Sequence, residues 1–100
     1  MKELKEFEEK CEFLKWELKS AKTYAKEACK HKDEDHEEAE AYFEMSKQEL
    51  CHAQTLLKFM GKCVEDNPEN VSMRVLYDWQ HENYLDKVSV IRALHDLYRA

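Results

Sequence analysis

Apolar and small residues recur along the first third of the chain at Leu4, Phe7, Cys11, Leu14, Leu18, Ala21, Ala25 and Ala28. Spacings that alternate between three and four put all of them on one stripe of an α-helix. The pattern predicts a helix over about 2–31, broken where Lys32–His36 loses the periodicity. Asp35 followed by Glu38 has the form of a capping box, with a carboxylate as the cap. It opens a second helix over about 35–64, whose stripe reads Ala39, Tyr42, Ser46, Glu49, Ala53, Leu56, Met60 and Cys63. Asn67-Pro68-Glu69 then reads as a capped start with proline at the first helical position. It opens a third helix over about 68–98, with Val71, Val75, Leu85, Val88, Ile91 and Leu94 or Leu97 available to the core. Three long helices joined by short turns predict an all-α antiparallel bundle forming a single domain, 1–100.

Composition fits that outline. One glycine and one proline leave almost no turn chemistry for a sheet. Charged residues make up 38% of the chain and apolar ones 43%, as expected for long helices with solvated faces around one modest core. A net charge of −6 excludes nucleic acid and anionic membranes as principal partners, since both require a basic face. No apolar run approaches a membrane span or the core of an export signal, so the expected location is the cytoplasm. Cys11, Cys29, Cys51 and Cys63 are widely spaced and contain no Cys-x-x-Cys pair. They read as reduced, mostly packing thiols. The acids from Asp33 to Glu40 suit the positive end of the second helix, and Trp16, Tyr42, Trp79, Tyr84 and Tyr98 read as core or interface aromatics. His31, His36 and His95 lie toward helix ends.

Two glutamates interrupt apolar neighbourhoods. Glu17 sits among Phe13, Leu14, Ala21 and Tyr24, and Glu49 falls within the second stripe with His52 one turn later. If the first hairpin folds about Asp33, Glu17 and Glu49 lie equally far from the turn and meet at one height. With a second turn centred near Glu65 or Asp66, Asp78, His81 and Glu82 on the third helix are expected at the same level. Carboxylates gathered in an apolar interior repel and are costly to strip of water unless a cation compensates. The candidate ligand set is therefore Glu17, Glu49, His52, Asp78, His81 and Glu82. Mixed oxygen and imidazole donors suit iron or manganese, with zinc also compatible. Each residue has a blander reading: Glu49 with His52 as a polar pair that fixes register, Glu17 in an ion pair, His81 as a satisfied core histidine, Asp78 paired with Arg74, and Glu82 solvated.

Glu17 through Tyr24, followed thirty-two residues after Glu17 by Glu49-Leu-Cys-His52-Ala, resembles the first half of the rubrerythrin-type ferritin-like superfamily. The resemblance spans about residues 13–60. It implies Glu17, Glu49 and His52 as first-half ligands of a di-iron centre, Tyr24 as a nearby supporting tyrosine, and dioxygen or peroxide chemistry such as ferrous oxidation. The family's fourth helix, which carries a second Glu-x-x-His, has no counterpart here. The resemblance then leaves three outcomes for a dinuclear site: it is distorted, it is completed by a second subunit in a homodimer or higher assembly, or it is absent. Against this stands a second reading, a non-enzymatic helical interaction module with a central polar layer. A structural zinc site without turnover is a third. The sequence does not decide whether the chain is an enzyme.

Overall fold

The computed structural model describes residues 2–100. The described residues form three helices, α1 (Lys2–His31), α2 (His36–Asp66) and α3 (Val71–Arg99), with no strand among them. The molecule is a rod of 53 × 19 × 14 Å. None of the helices is long and apolar enough to cross a membrane.

The α1 stripe packs as its periodicity requires. Phe7, Cys11, Leu14, Leu18, Ala21, Ala25 and Ala28 are all buried. On α2, Ala39, Ser46, Ala53 and Met60 are buried as expected, while Phe43, Leu50 and Val64 are buried in place of Tyr42, Glu49 and Cys63, which flank them half-buried. Either line satisfies a helical period, and the larger apolar contact goes inward. Asp35 caps α2 as expected, its Oδ1 accepting from the Glu38 amide at 3.1 Å. The helix ends two residues beyond the expected boundary.

The second turn differs from expectation. Pro68 does not open α3 but occupies the second position of a β-turn, closed by the Asn70 amide donating to the Asn67 carbonyl at 3.0 Å. Asn67 ends α2, its Nδ2 donating to the Cys63 carbonyl at 2.8 Å. Asn70 is the cap of α3, its side-chain oxygen accepting from the Met73 amide at 3.0 Å. Proline suits both the first helical position and this turn position, and the two asparagines select the turn.

The α3 core differs with it. Met73, Tyr84, Val88, Ile91 and Tyr98 are buried, whereas Val71, Val75, Leu85 and Leu97 are exposed and Leu94 is half-buried. The buried face joins Met73, Tyr84 and Tyr98 with Val88 and Ile91, and Val71, Val75, Leu85 and Leu97 lie about 120–160° around the helix from Met73. A main core runs along the bundle from Phe7 to Ile91, and a smaller cluster of Ala28, Ala39, Phe43 and Tyr98 closes the end near the first turn. α3 packs more against α1 than against α2.

Candidate metal centre

The first hairpin aligns its helices as the turn position predicts. Ser46 of α2 donates from its hydroxyl to the Ala21 carbonyl of α1 at 2.6 Å, and Glu17 lies opposite Glu49 and His52. His52 Nδ1 stands 3.4 Å from Glu17 Oε2 and 3.9 Å from Glu49 Oε2. One donor atom from each of these three residues lies within 4.8 Å of the other two, and no other group of three or more candidate ligands gathers in this way among the described residues. A metal about 2.1 Å from each ligand tolerates donors up to about 4.2 Å apart, so both measured separations to the imidazole fit.

The site is not the dry interior the sequence implies. Glu17 and Glu49 are half-buried, and the His52 side chain is 60% exposed. The two carboxylates keep access to water, so desolvation alone does not require a cation here. The reason lies in helix geometry. Glu17 projects about 100° around α1 from Leu18, and His52 about 100° around α2 from Ala53, which places both at the outer lip of the hairpin.

Asp78, His81 and Glu82 do not join the three. Asp78 and Glu82 are exposed, and His81 is half-buried with its ring stacked on Tyr77 at 5.9 Å between centroids. Ser46 meets His95, and Gly61 approaches Tyr77. These two contacts set Glu49 level with Ile91, and His81 level with Lys58, about 13 Å further along α2. The later end of α2 and the four-residue turn move the centre of the second hairpin to about Glu69–Asn70, away from the expected Glu65 or Asp66. The side of approach differs too. Gly61 faces α3, and His52, nine residues earlier, projects from the opposite side of α2.

Tyr24 lies two turns from Glu17 along α1 and is half-buried. Its ring stacks on Tyr42 at 6.2 Å, and His31 stacks on Tyr42 at 5.9 Å. It supports the packing between α1 and α2 rather than a carboxylate.

One buried polar pair escapes the sequence reading. Ser46 is fully buried, and His95 Nε2 lies 2.7 Å from its Oγ. The single hydroxyl proton goes to Ala21, so the histidine donates its Nε2 proton to Ser46. Burial holds the His95 pKa below its usual 6.5, helped by the charges of Lys47 and Arg99. The arrangement is not a nucleophile and its base: the serine proton points away from the imidazole, and the oxygen is sealed from substrate. A serine within an apolar stripe was the signal, because a buried hydroxyl demands partners. Nothing in the local sequence names His95 as that partner.

No protein-family model, curated protein or solved structure matches this chain.

Proposed function

We propose that the chain is a metal-binding helical protein that acts as a homodimer, pairing the α1–α2 faces of two copies. The observation that carries this reading is the convergence of Glu17, Glu49 and His52 within 4.8 Å on the side of the hairpin that α3 leaves open. One copy offers one glutamate from α1 and one Glu-x-x-His pair from α2. A two-fold axis through that face supplies two of each, which is the donor complement of ferritin-like di-iron and di-manganese bundles. Apolar residues flank the site along the same face and suit an interface core. Phe13, one turn before Glu17, is 59% exposed; Met45 lies one turn before Glu49, and Phe59 two turns after His52.

The donor chemistry fits iron or manganese, and zinc in a structural version. Glu17 and Glu49 would hold the ions and balance their charge. His52 would bind terminally through the nitrogen that faces the carboxylates, and its exposed edge would be covered by the partner. Redox-active iron held there supplies dioxygen or peroxide chemistry, such as ferrous oxidation.

The test is metal content per chain after anaerobic ferrous reconstitution of protein purified without a metal-binding tag, together with solution mass. About one ion per chain on a dimer is expected, lost in Glu49→Ala and in His52→Ala while helicity is retained. Wild-type protein that stays far below one ion per chain ends the metal reading. Metal without dioxygen consumption leaves a structural site.

A second reading rests on the exposure of His52. Protonated, it makes partly solvated ion pairs with Glu17 and Glu49, each worth about 0–1 kcal/mol. The same face then serves a non-enzymatic interaction module. In that case Glu49→Leu with His52→Leu preserves or strengthens association in metal-free buffer.

A further inference from the structure

A second concavity lies on another side of α1, in the groove that α1 makes with α3. Its volume is about 510 Å³, within the range of small-molecule sites. Lys15, Lys19 and Lys22 line it from α1, and Lys87 and Trp79 from α3. The three α1 lysines follow spacings of four and three and so share one face of that helix. None of the four lysines has an ion-pair partner among the described residues. The chain as a whole is acidic, so this is a local reversal of its field.

Cys11 and Leu18 also line the groove, and its polar groups follow an order along it. Cys29 Sγ donates to the Leu94 carbonyl at 3.4 Å and Lys32 Nζ to the Leu97 carbonyl at 3.3 Å, each pair 65 residues apart. That constant offset between two parallel helices sets Lys87 level with Lys22, and Trp79 level with Leu14. Trp79 therefore marks one end, and the Lys22–Lys87 pair the other, about 12 Å away. Trp79 is 68% exposed, so its indole offers a free face at the groove margin. Glu12, the one carboxylate of the lining, belongs to the Trp79 end. Gln80 and Asn83 add amide donors and acceptors between the two ends.

We propose that this groove binds a nucleoside di- or triphosphate, with the base stacked on Trp79 and the phosphates among Lys19, Lys22 and Lys87. Each part has its own physical reason. An exposed indole stacks any nucleobase without reading its identity. Ammonium groups converging from two helices suit a chain of phosphates better than a single carboxylate. Glu12 is placed to accept from a sugar hydroxyl or an exocyclic amine, at the end away from the phosphate charge. The groove is separate from the Glu17–Glu49–His52 face: Lys15 and Glu17 project about 160° apart on α1. The proposal stands or falls independently of metal binding.

The experiment uses the full chain carrying Trp16→Phe, which leaves Trp79 as the sole tryptophan, titrated with ATP in low-salt buffer containing a chelator. Saturable quenching is expected, with a dissociation constant below about 1 mM that weakens as salt is raised. Lys22→Gln with Lys87→Gln should weaken binding at least about tenfold. Trp79→Ala, followed by calorimetry, should weaken it about fivefold or more. These exposed or half-exposed positions leave the core intact, and circular dichroism verifies it. Inorganic triphosphate binding as tightly as ATP overturns the stacking half of the assignment, and adenosine binding as tightly overturns the phosphate half. No saturation by about 5 mM ATP overturns the whole. So does ATP-insensitive, salt-sensitive self-association, which would assign the lysines to the acidic turn of a second copy.

Discussion

Replacing Ser46 with alanine tests how the bundle is held at its centre. The hydroxyl joins all three helices: it sits on α2, donates to Ala21 of α1 and accepts from His95 of α3. The two losses are unequal. The Ala21 carbonyl lies within α1 and keeps its helical hydrogen bond, so its side of the change costs little. The His95 Nε2 proton loses its acceptor in a half-buried position, and an unsatisfied donor there costs about 1–3 kcal/mol. For a domain of this size that corresponds to a fall in Tm of roughly 5–15 °C. Urea and thermal unfolding followed by circular dichroism at pH 7.5 measure it directly.

The same pair sets a pH dependence. Burial lowers the folded pKa of His95 below 6.5, so between the two values the unfolded chain binds more protons than the folded one. The contribution is fully present above about 6.5 and is lost as pH falls through the folded value. In Ser46→Ala the neutral ring loses an ordinary hydrogen bond and the imidazolium a stronger charge-assisted one, so the loss is larger for the charged form. The variant should therefore lose stability more steeply on acidification than the wild type, and His95→Leu should lack this component. A Ser46→Ala penalty under about 0.5 kcal/mol, or an acid slope unchanged by His95→Leu, would refute the assigned role.

Gly61→Ala adds a Cβ that meets the Tyr77 hydroxyl oxygen at 3.2 Å and its ring carbons at 3.6 and 3.7 Å. The helix gains about 1 kcal/mol in propensity while the tyrosine tip shifts slightly. A net change within about 0.5 kcal/mol is expected in urea, rising toward the full gain in a Tyr77→Phe background, and a loss above about 2 kcal/mol would mean that α2 and α3 are locked at that crossing. The Tyr98 hydroxyl donates to Glu40 at 2.7 Å, and that bond, aided by burial, pushes its pKa up to about 12. Phenolate absorbance should show Tyr98 ionising last. The raised value gives stability that is present below pH 10 and lost as pH rises through about 12, and Tyr98→Phe should remove that loss. Cys51 is exposed, whereas Cys11 is buried with its thiol pushed up to about 11 by burial and by Glu12 and Glu8. At pH 7.5 Cys11 is therefore almost wholly in the unreactive thiol form, so mass-resolved alkylation should label Cys51 first and Cys11 last.

What the sequence disclosed follows from how much of each feature is local. The α1 stripe is regular over the whole helix, and its buried residues follow from spacing alone. The first hairpin was legible because the turn about Asp33 is short, so counting outward brings Glu17 to Glu49 and His52. Burial at that layer was not legible. It depends on where α3 lies, and α3 packs on the far side. The α3 register failed for two local reasons. Pro68 fits two backbone roles, and the aliphatic run of Val71, Val75 and Leu85 is hydrophobic yet faces water, while Met73, Tyr84 and Tyr98 fill the core. The lysine groove was hidden for a third reason: Lys87 and Trp79 acquire meaning only once the parallel placement of α1 and α3 fixes their neighbours.

The charge at a paired α1–α2 face favours a cation over a bare polar layer. Two copies bring four carboxylates, from Glu17 and Glu49, against two His52 imidazoles. Even with both histidines protonated, two negative charges would stay uncompensated as the interface excludes water. Two divalent ions balance the four carboxylates with both imidazoles neutral, the state in which histidine is a ligand. In a single copy the imbalance is smaller, and the half-exposed site tolerates it because water reaches all three side chains. The same residues are therefore compatible with a solvated monomer and unfavourable in a metal-free dimer. Metal and self-association should accordingly be linked, each strengthening the other by mass action.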